Sequence, residues 1–151
     1  MSMQTLLFLQ AWEEGRSRFT NQLSEITESD LMKKLPPSPN SVGFILRHIC
    51  DVELLFAKNV FGAKEISVHA STVIEKRDTG KWKDLKELME YERTAFEMLR
   101  KVIRLQPHEA WEERINTLEF GTKTRAQALA RIISHTAYHS GQLAMLLKYG
   151  T

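Results

Sequence analysis

The sequence predicts an all-α protein, a four-helix bundle with a long connection between its second and third helices. Three observations predict it. Four segments repeat apolar residues at helical spacing. The strong breakers fall between those segments rather than inside them. No convincing sheet emerges from the remainder. The 151 residues suit a single domain over 1–151, large enough to bury a core without disulfides.

The first helix is expected from about Gln4 to Ile26, with Trp12, Phe19, Leu23 and Ile26 on one stripe. It closes before the breaker-rich stretch Leu35 to Asn40, with one extra turn at Asp30 and Leu31. Asn40 or Ser41 caps the second helix, which carries Val42, Ile45, Ile49, Val52 and Phe56 and stops near Phe61 and Gly62. Residues 62–83 have no clear period and read as a long connection, with a short ordered piece around Val68 to Ile74. The third helix starts near Asp84 and runs to about Leu105, with Leu85, Leu88, Ala95, Leu99 and Val102 aligned. Pro107 breaks the pattern, and Glu113 to Lys123 reads as a turn or small hairpin. Thr124 and Gln127 match a reciprocal cap for the fourth helix, which runs to about Lys148 and ends at Gly150. The connection between helices two and three is long enough to cross the bundle, so up-down-down-up and simple up-down orders both fit.

The net charge of +2, from 21 basic and 19 acidic residues, is too small to argue for nucleic acid. The charges interleave, as in Glu87, Glu90 and Arg93, which marks solvated helix faces. The single cysteine, Cys50, cannot form an internal disulfide, which suits a reducing compartment. The apolar run Leu6 to Leu9 lacks the basic flank of a secretory signal. No run approaches the ~20 apolar residues of a membrane span. The expected location is the cytoplasm, with no nucleic-acid or membrane partner.

Chemistry concentrates in His135-Thr136-Ala137-Tyr138-His139. A helical spacing of four leaves two side chains only about 40° apart, so the imidazoles share one face. That face continues through Ala128 and Ile132 before them and Gln142 and Leu146 after them, which makes it the bundle interior. His48 lies beside Ile45 and Val52 on the buried stripe of the second helix. Three inward histidines are costly to bury without partners, and one shared cation would satisfy all three. The alternative is three separately hydrogen-bonded core histidines. Neutral imidazole suits zinc, nickel, copper or iron. Three protein ligands leave a position for water or substrate, as catalytic sites do. The zinc-protease helix needs Glu after its first histidine, and Thr136 stands there. Di-iron bundles need Glu-x-x-His pairs, and Ile45, Ile132 and Thr136 occupy those positions.

Two stretches carry a family resemblance. Gly43 to Glu53, with His48 and its trailing acidic residues, and His135 to Leu143, with its paired histidines and Gly141-Gln142, resemble the DinB/YfiT-like family of metal-dependent bundles. The resemblance implies an up-down-down-up four-helix bundle. It also implies one divalent ion, commonly zinc or nickel, on His48, His135 and His139. Homodimers are frequent in the family. Some relatives transfer or isomerise groups with a low-molecular-weight thiol such as bacillithiol, mycothiol or glutathione; many others have no assigned reaction.

Glu92 interrupts the apolar stripe of the third helix. It would face the metal as a general base or anchor if helices two and three run parallel; otherwise it is a carboxylate at the seam edge. Gln142 would orient a metal-bound water or serve as a structural amide. Glu53 is turned about 140° from His48 and Asp51 about 60°, which makes both structural rather than ligating. Tyr138 would rim the site or an interface. Cys50, about 200° from His48, reads as a small filler. His69 and His108 are expected in solvated loops. Trp12, Phe19, Phe56 and Phe96 are expected in the core. Together these predict a metal-dependent enzyme acting on a small molecule. A thiol-dependent S-transferase or isomerase comes first, within a broader transferase or hydrolase class. The competing readings are a non-enzymatic metal-binding protein and a stress-associated helical interaction module.

Overall fold

Side-chain caps set the helix starts. The computed structural model describes all 151 residues. Ser2 Oγ accepts from Thr5 N at 3.1 Å and opens α1, Met3–Thr20. Ser41 Oγ accepts from Phe44 N at 3.2 Å and opens α2, Val42–Asn59. A short α3, Ser71–Glu75, sits in the connection, close to the ordered piece expected there. Asp84 accepts from Glu87 N at 2.9 Å and opens α4, Leu85–Arg104. A hairpin of β1, Arg114–Thr117, and β2, Gly121–Thr124, precedes α5, Arg125–Tyr149. Thr124 and Gln127 cap α5 reciprocally, at 3.1 and 2.9 Å.

The first helix stops at Thr20 rather than Ile26. The Gln22 side chain donates to the Arg18 carbonyl at 2.7 Å, which takes the acceptor that the next helical turn would use. Gln22 N turns to Phe19 O instead, and two short 3₁₀ turns follow at Leu23–Glu25 and Glu28–Asp30. Ile26 and Leu31 are still buried. Gly62 ends the second helix region with φ of +88°, the left-handed conformation glycine adopts freely. Gly150 ends α5 differently. Its φ is ordinary, and the close approach of the Leu146 carbonyl and Lys34 leaves no room for a Cβ.

The chain is thus mostly helical with one two-stranded antiparallel sheet. The long helices pack α2 on α4, α1 on α5, α2 on α5 and α1 on α4. Cross-helix bonds give their sense. Asp51 on α2 meets Tyr91 on α4, and Phe61 beyond α2 meets Gln106 beyond α4, so these two run the same way. Arg125 reaches Val60 while Thr136 reaches Glu53, so α5 runs opposite to α2. Two parallel neighbours cannot be joined by a tight turn, and the stretch from Val60 to Asp84 makes the return.

The core has two apolar parts. One gathers Trp12, Phe56, Phe61, Leu99, Trp111 and Ile132; the other gathers Phe19, Leu46, Ile49, Leu88 and Leu143. Between them the long helices contribute a polar layer of Arg16, Glu53, Glu92 and Thr136, with Thr20 of α1 accepting from Arg16 Nη1 at 2.9 Å. Arg16 Nε and Nη2 bond Glu53 bidentately at 2.9 Å each, and Nη2 reaches Glu92 Oε1 at 2.9 Å. Burial works against the Arg16 charge, but the two carboxylates outweigh it and raise its pKa. Burial pushes the Glu53 carboxyl up, with Arg16 pulling the other way. No helix is long and apolar enough to cross a membrane.

Candidate metal centre

His48 comes from the middle of α2, and His135 and His139 come from one face of α5. The antiparallel packing of α2 on α5 brings the three rings together, with centroid separations of 4.5, 4.8 and 5.2 Å. One ligand nitrogen from each ring lies within 4.8 Å of the others. The Nε2 atoms of His48 and His135 are 3.3 Å apart. Bonds of about 2.0–2.1 Å at tetrahedral angles set ligand nitrogens about 3.3–3.4 Å apart, so this pair already has the spacing of two ligands on one ion.

At His48 and His139 the partner of the outer nitrogen fixes which nitrogen faces inward. The Thr72 hydroxyl donates to Asp51 Oδ2 at 2.8 Å, so its oxygen can only accept from His48 Nδ1, 3.1 Å away. His48 therefore carries its proton on Nδ1 and offers Nε2 inward. Asp51 is itself held: Thr72 N donates to Oδ2 at 3.0 Å, while Arg47 Nε and the Tyr91 hydroxyl donate to Oδ1 at 2.8 Å each. Gln142 Oε1 accepts from His139 Nδ1 at 2.7 Å, which frees the His139 Nε2. His135 Nδ1 is buried without a hydrogen-bond partner.

Burial lowers the pKa of all three imidazoles. His48 falls to about 4 and His135 to about 3, each lowered further by the neighbouring rings, whereas Gln142 partly offsets the fall at His139. Neutral rings with free nitrogens are the ligating form. The donor set fits one divalent transition ion. No cysteine or carboxylate joins the group, so no fourth side chain closes it. A cleft of about 1060 Å³ reaches His48 and His135 between α2, α3 and the hairpin.

The other sequence candidates separate. Gln142 is at the site, as the partner that orients His139. Glu92 is not brought there; it lines a separate recess beside Arg16, whose buried charge draws it towards α1. Asp51 is placed beyond Thr72, and Glu53 belongs to the Arg16 layer. Tyr138 stands exposed beside His139, ring to ring at 5.1 Å. Cys50 is fully buried, and burial drives its thiol pKa well up, which suits a filler. His69 and His108 are exposed, His108 within a 3₁₀ turn rather than a loop. Sequence reasoning missed Thr72, Tyr91 and Arg16. Arg16 left a signal, since it falls between Trp12 and Phe19 on the apolar stripe of α1. Thr72 left none, because its segment has no period.

The family model of the DinB superfamily matches residues 11–143, a span that includes all three histidines. A solved structure of a mycothiol-dependent maleylpyruvate isomerase, carrying a histidine-to-alanine substitution, has a similar fold. The TM-score is 0.66 at 15% identity, over 92% of this chain and 60% of that one. This chain thus spans 60% of the isomerase's length. No curated protein sequence matches. A match that runs from the first long helix to the paired-histidine helix makes the conclusion plain: the chain belongs to the DinB superfamily.

Proposed function

We propose that this protein holds one divalent ion, zinc or nickel, on His48, His135 and His139, and acts as a metal-dependent enzyme of the thiol-dependent S-transferase or isomerase type. One observation carries the reading: three imidazoles converge, two of them lining a wide cleft, and no fourth side chain closes the group. An ion there would supply Lewis-acid character, lowering the pKa of a bound thiol so that the thiolate is available at neutral pH. The chain's own residues do the rest. Thr72, held by Asp51, keeps the His48 proton on Nδ1, and Gln142 does the same for His139. The structural neighbour's use of mycothiol supports a low-molecular-weight thiol as cosubstrate.

The reading includes the architecture, in which the four long helices form an up-down-down-up bundle. The contact senses described above support it. It also includes a homodimer. Tyr138, Met145 and Tyr149 lie exposed along one stripe of α5, an apolar surface that a second copy would cover. Light scattering of wild type at micromolar concentration should give a dimer, and Tyr138→Glu combined with Met145→Glu should give a monomer.

The test begins with elemental analysis of protein purified without a histidine tag. About one ion per chain is expected, lost in His135→Ala. The loaded protein is then incubated with glutathione, mycothiol or bacillithiol and an electrophile panel, and thiol consumption is followed. Metal-dependent turnover supports the enzyme. Tight metal binding with no turnover and no thiol binding would leave a non-enzymatic metal protein. No metal binding at all would return the histidines to the core.

A further inference from the structure

The cleft beside the histidines has a composition of its own. Its wall is apolar, with Leu55 and Phe56 from α2, Val73 from α3 and Phe120 from the hairpin. Its polar lining includes Lys58, Lys64 and Lys76, and none of these three makes an ion pair. The single acidic lining residue, Glu119, is already taken by Arg131 at 2.9 Å. The lining therefore presents uncompensated positive charge around an apolar wall. Its volume, about 1060 Å³, has room for a small organic molecule.

Lys76 adds an independent observation. It closes α3 with φ of +54°, the only non-glycine residue in the left-handed region. Glycine or asparagine is the usual residue there, because a Cβ is disfavoured. A lysine at such a position places a long cationic side chain where the backbone alone would prefer none, and that side chain lines the cleft.

We propose that the cleft binds a small organic anion, an apolar body carrying a carboxylate. The body packs on Leu55, Phe56, Val73 and Phe120, and the carboxylate sits among Lys58, Lys64 and Lys76. This names the substrate class of the proposed enzyme and rests on that reading for its link to the histidines. The apolar wall favours a substrate over a polar thiol such as glutathione, which has little surface to bury there. The lysines also raise the local concentration of anions at the cleft mouth.

The test titrates 4-phenylbutyrate, its neutral amide and 4-phenylbutylamine into metal-free and zinc-loaded protein by calorimetry. The carboxylate should bind at least ten times more tightly than the amide in both forms, and the amine should not bind. In the Lys58→Gln, Lys76→Gly double variant, carboxylate affinity should fall at least tenfold while zinc affinity and helical circular dichroism stay unchanged. Glycine fits the left-handed backbone at 76, so folding is preserved there; Lys58→Gln alone should still give a measurable loss. Equal binding of carboxylate and amide overturns the proposal. So does carboxylate binding that needs zinc and ignores both lysines, since that is ligation of the ion. The two readings fail separately. Zinc binding without carboxylate preference removes the anion cleft and leaves the metal centre. Carboxylate preference without zinc binding does the reverse.

Discussion

At the three histidines, the position of one proton on each ring decides what the site can do. Thr72 and Gln142 settle it for His48 and His139 by accepting at Nδ1. Thr72→Val keeps the shape and removes the acceptor, so His48 can rotate or change tautomer. Zinc affinity should fall roughly tenfold, the scale of lost outer partners in metal sites, as measured by chelator competition. An unchanged affinity would deny Thr72 that role. Burial of the rings also predicts a pH dependence without metal. Unfolded imidazoles take up protons near pH 6.5, but folded His48 and His135 do so only near about 4 and about 3. The unfolded chain binds more protons between these values. Their contribution to stability is therefore complete above about pH 6.5 and is lost as pH falls through about 4 and about 3. Urea midpoints of metal-free protein should drop over that window, and the drop should shrink in His48→Ala and His135→Ala. The histidines were legible in the sequence because helical spacing alone puts 135 and 139 on one face, while His48 sits on the apolar stripe of its helix. Thr72 was not legible, since nothing in its segment says that it folds back onto α2.

Where helices meet, the buried polar layer matters most. Arg16 on α1 ties Glu53 on α2 and Glu92 on α4. Arg16→Met leaves Glu53 buried without its cation, and should cost roughly 3–5 kcal/mol in urea unfolding. Adding Glu53→Met should restore much of that loss, because an apolar pair of similar volume avoids the desolvation of two charges. A double variant no more stable than Arg16→Met would contradict this account. Helix starts were readable from Ser41, Asp84 and Thr124, whose short polar side chains cap the first free amides. The end of α1 was not. Leu23 and Ile26 keep a helical spacing of three, yet a 3₁₀ turn satisfies that spacing too. Where the helix stops, the Gln22 amide bonds the Arg18 carbonyl and Gln22 N turns to Phe19 O. The apolar stripe of α4 showed that Glu92 was unusual but could not show what it faced. That depends on Arg16, many residues away in sequence.

For the molecule as a unit, metal and stability are linked. If one ion binds only the folded chain, zinc at a hundred times its dissociation constant should stabilise it by about 2.7 kcal/mol. Calorimetric melting should move upward with zinc in wild type and stay still in each single histidine variant. A wild-type melting temperature unmoved by zinc and by chelator would favour separately bonded core histidines. The sequence could not choose between helix orders, since periodicity reports faces and not directions. Length alone allowed the stretch from Val60 to Asp84 to cross. Its course has a consequence for how such a chain can change. A tight turn between α2 and its neighbour would have no residues to spare. This crossing instead supplies Thr72 behind His48, and Lys64, Val73 and Lys76 along the cleft. The histidines rest on the long helices, while Lys64, Val73 and Lys76 rest on a connecting strap that also packs Phe61, Ala63 and Ala70 into the interior. Changing the cleft-facing positions of that strap between related chains would alter ligand preference and leave the three histidines in place, giving one scaffold a ready route to new ligands.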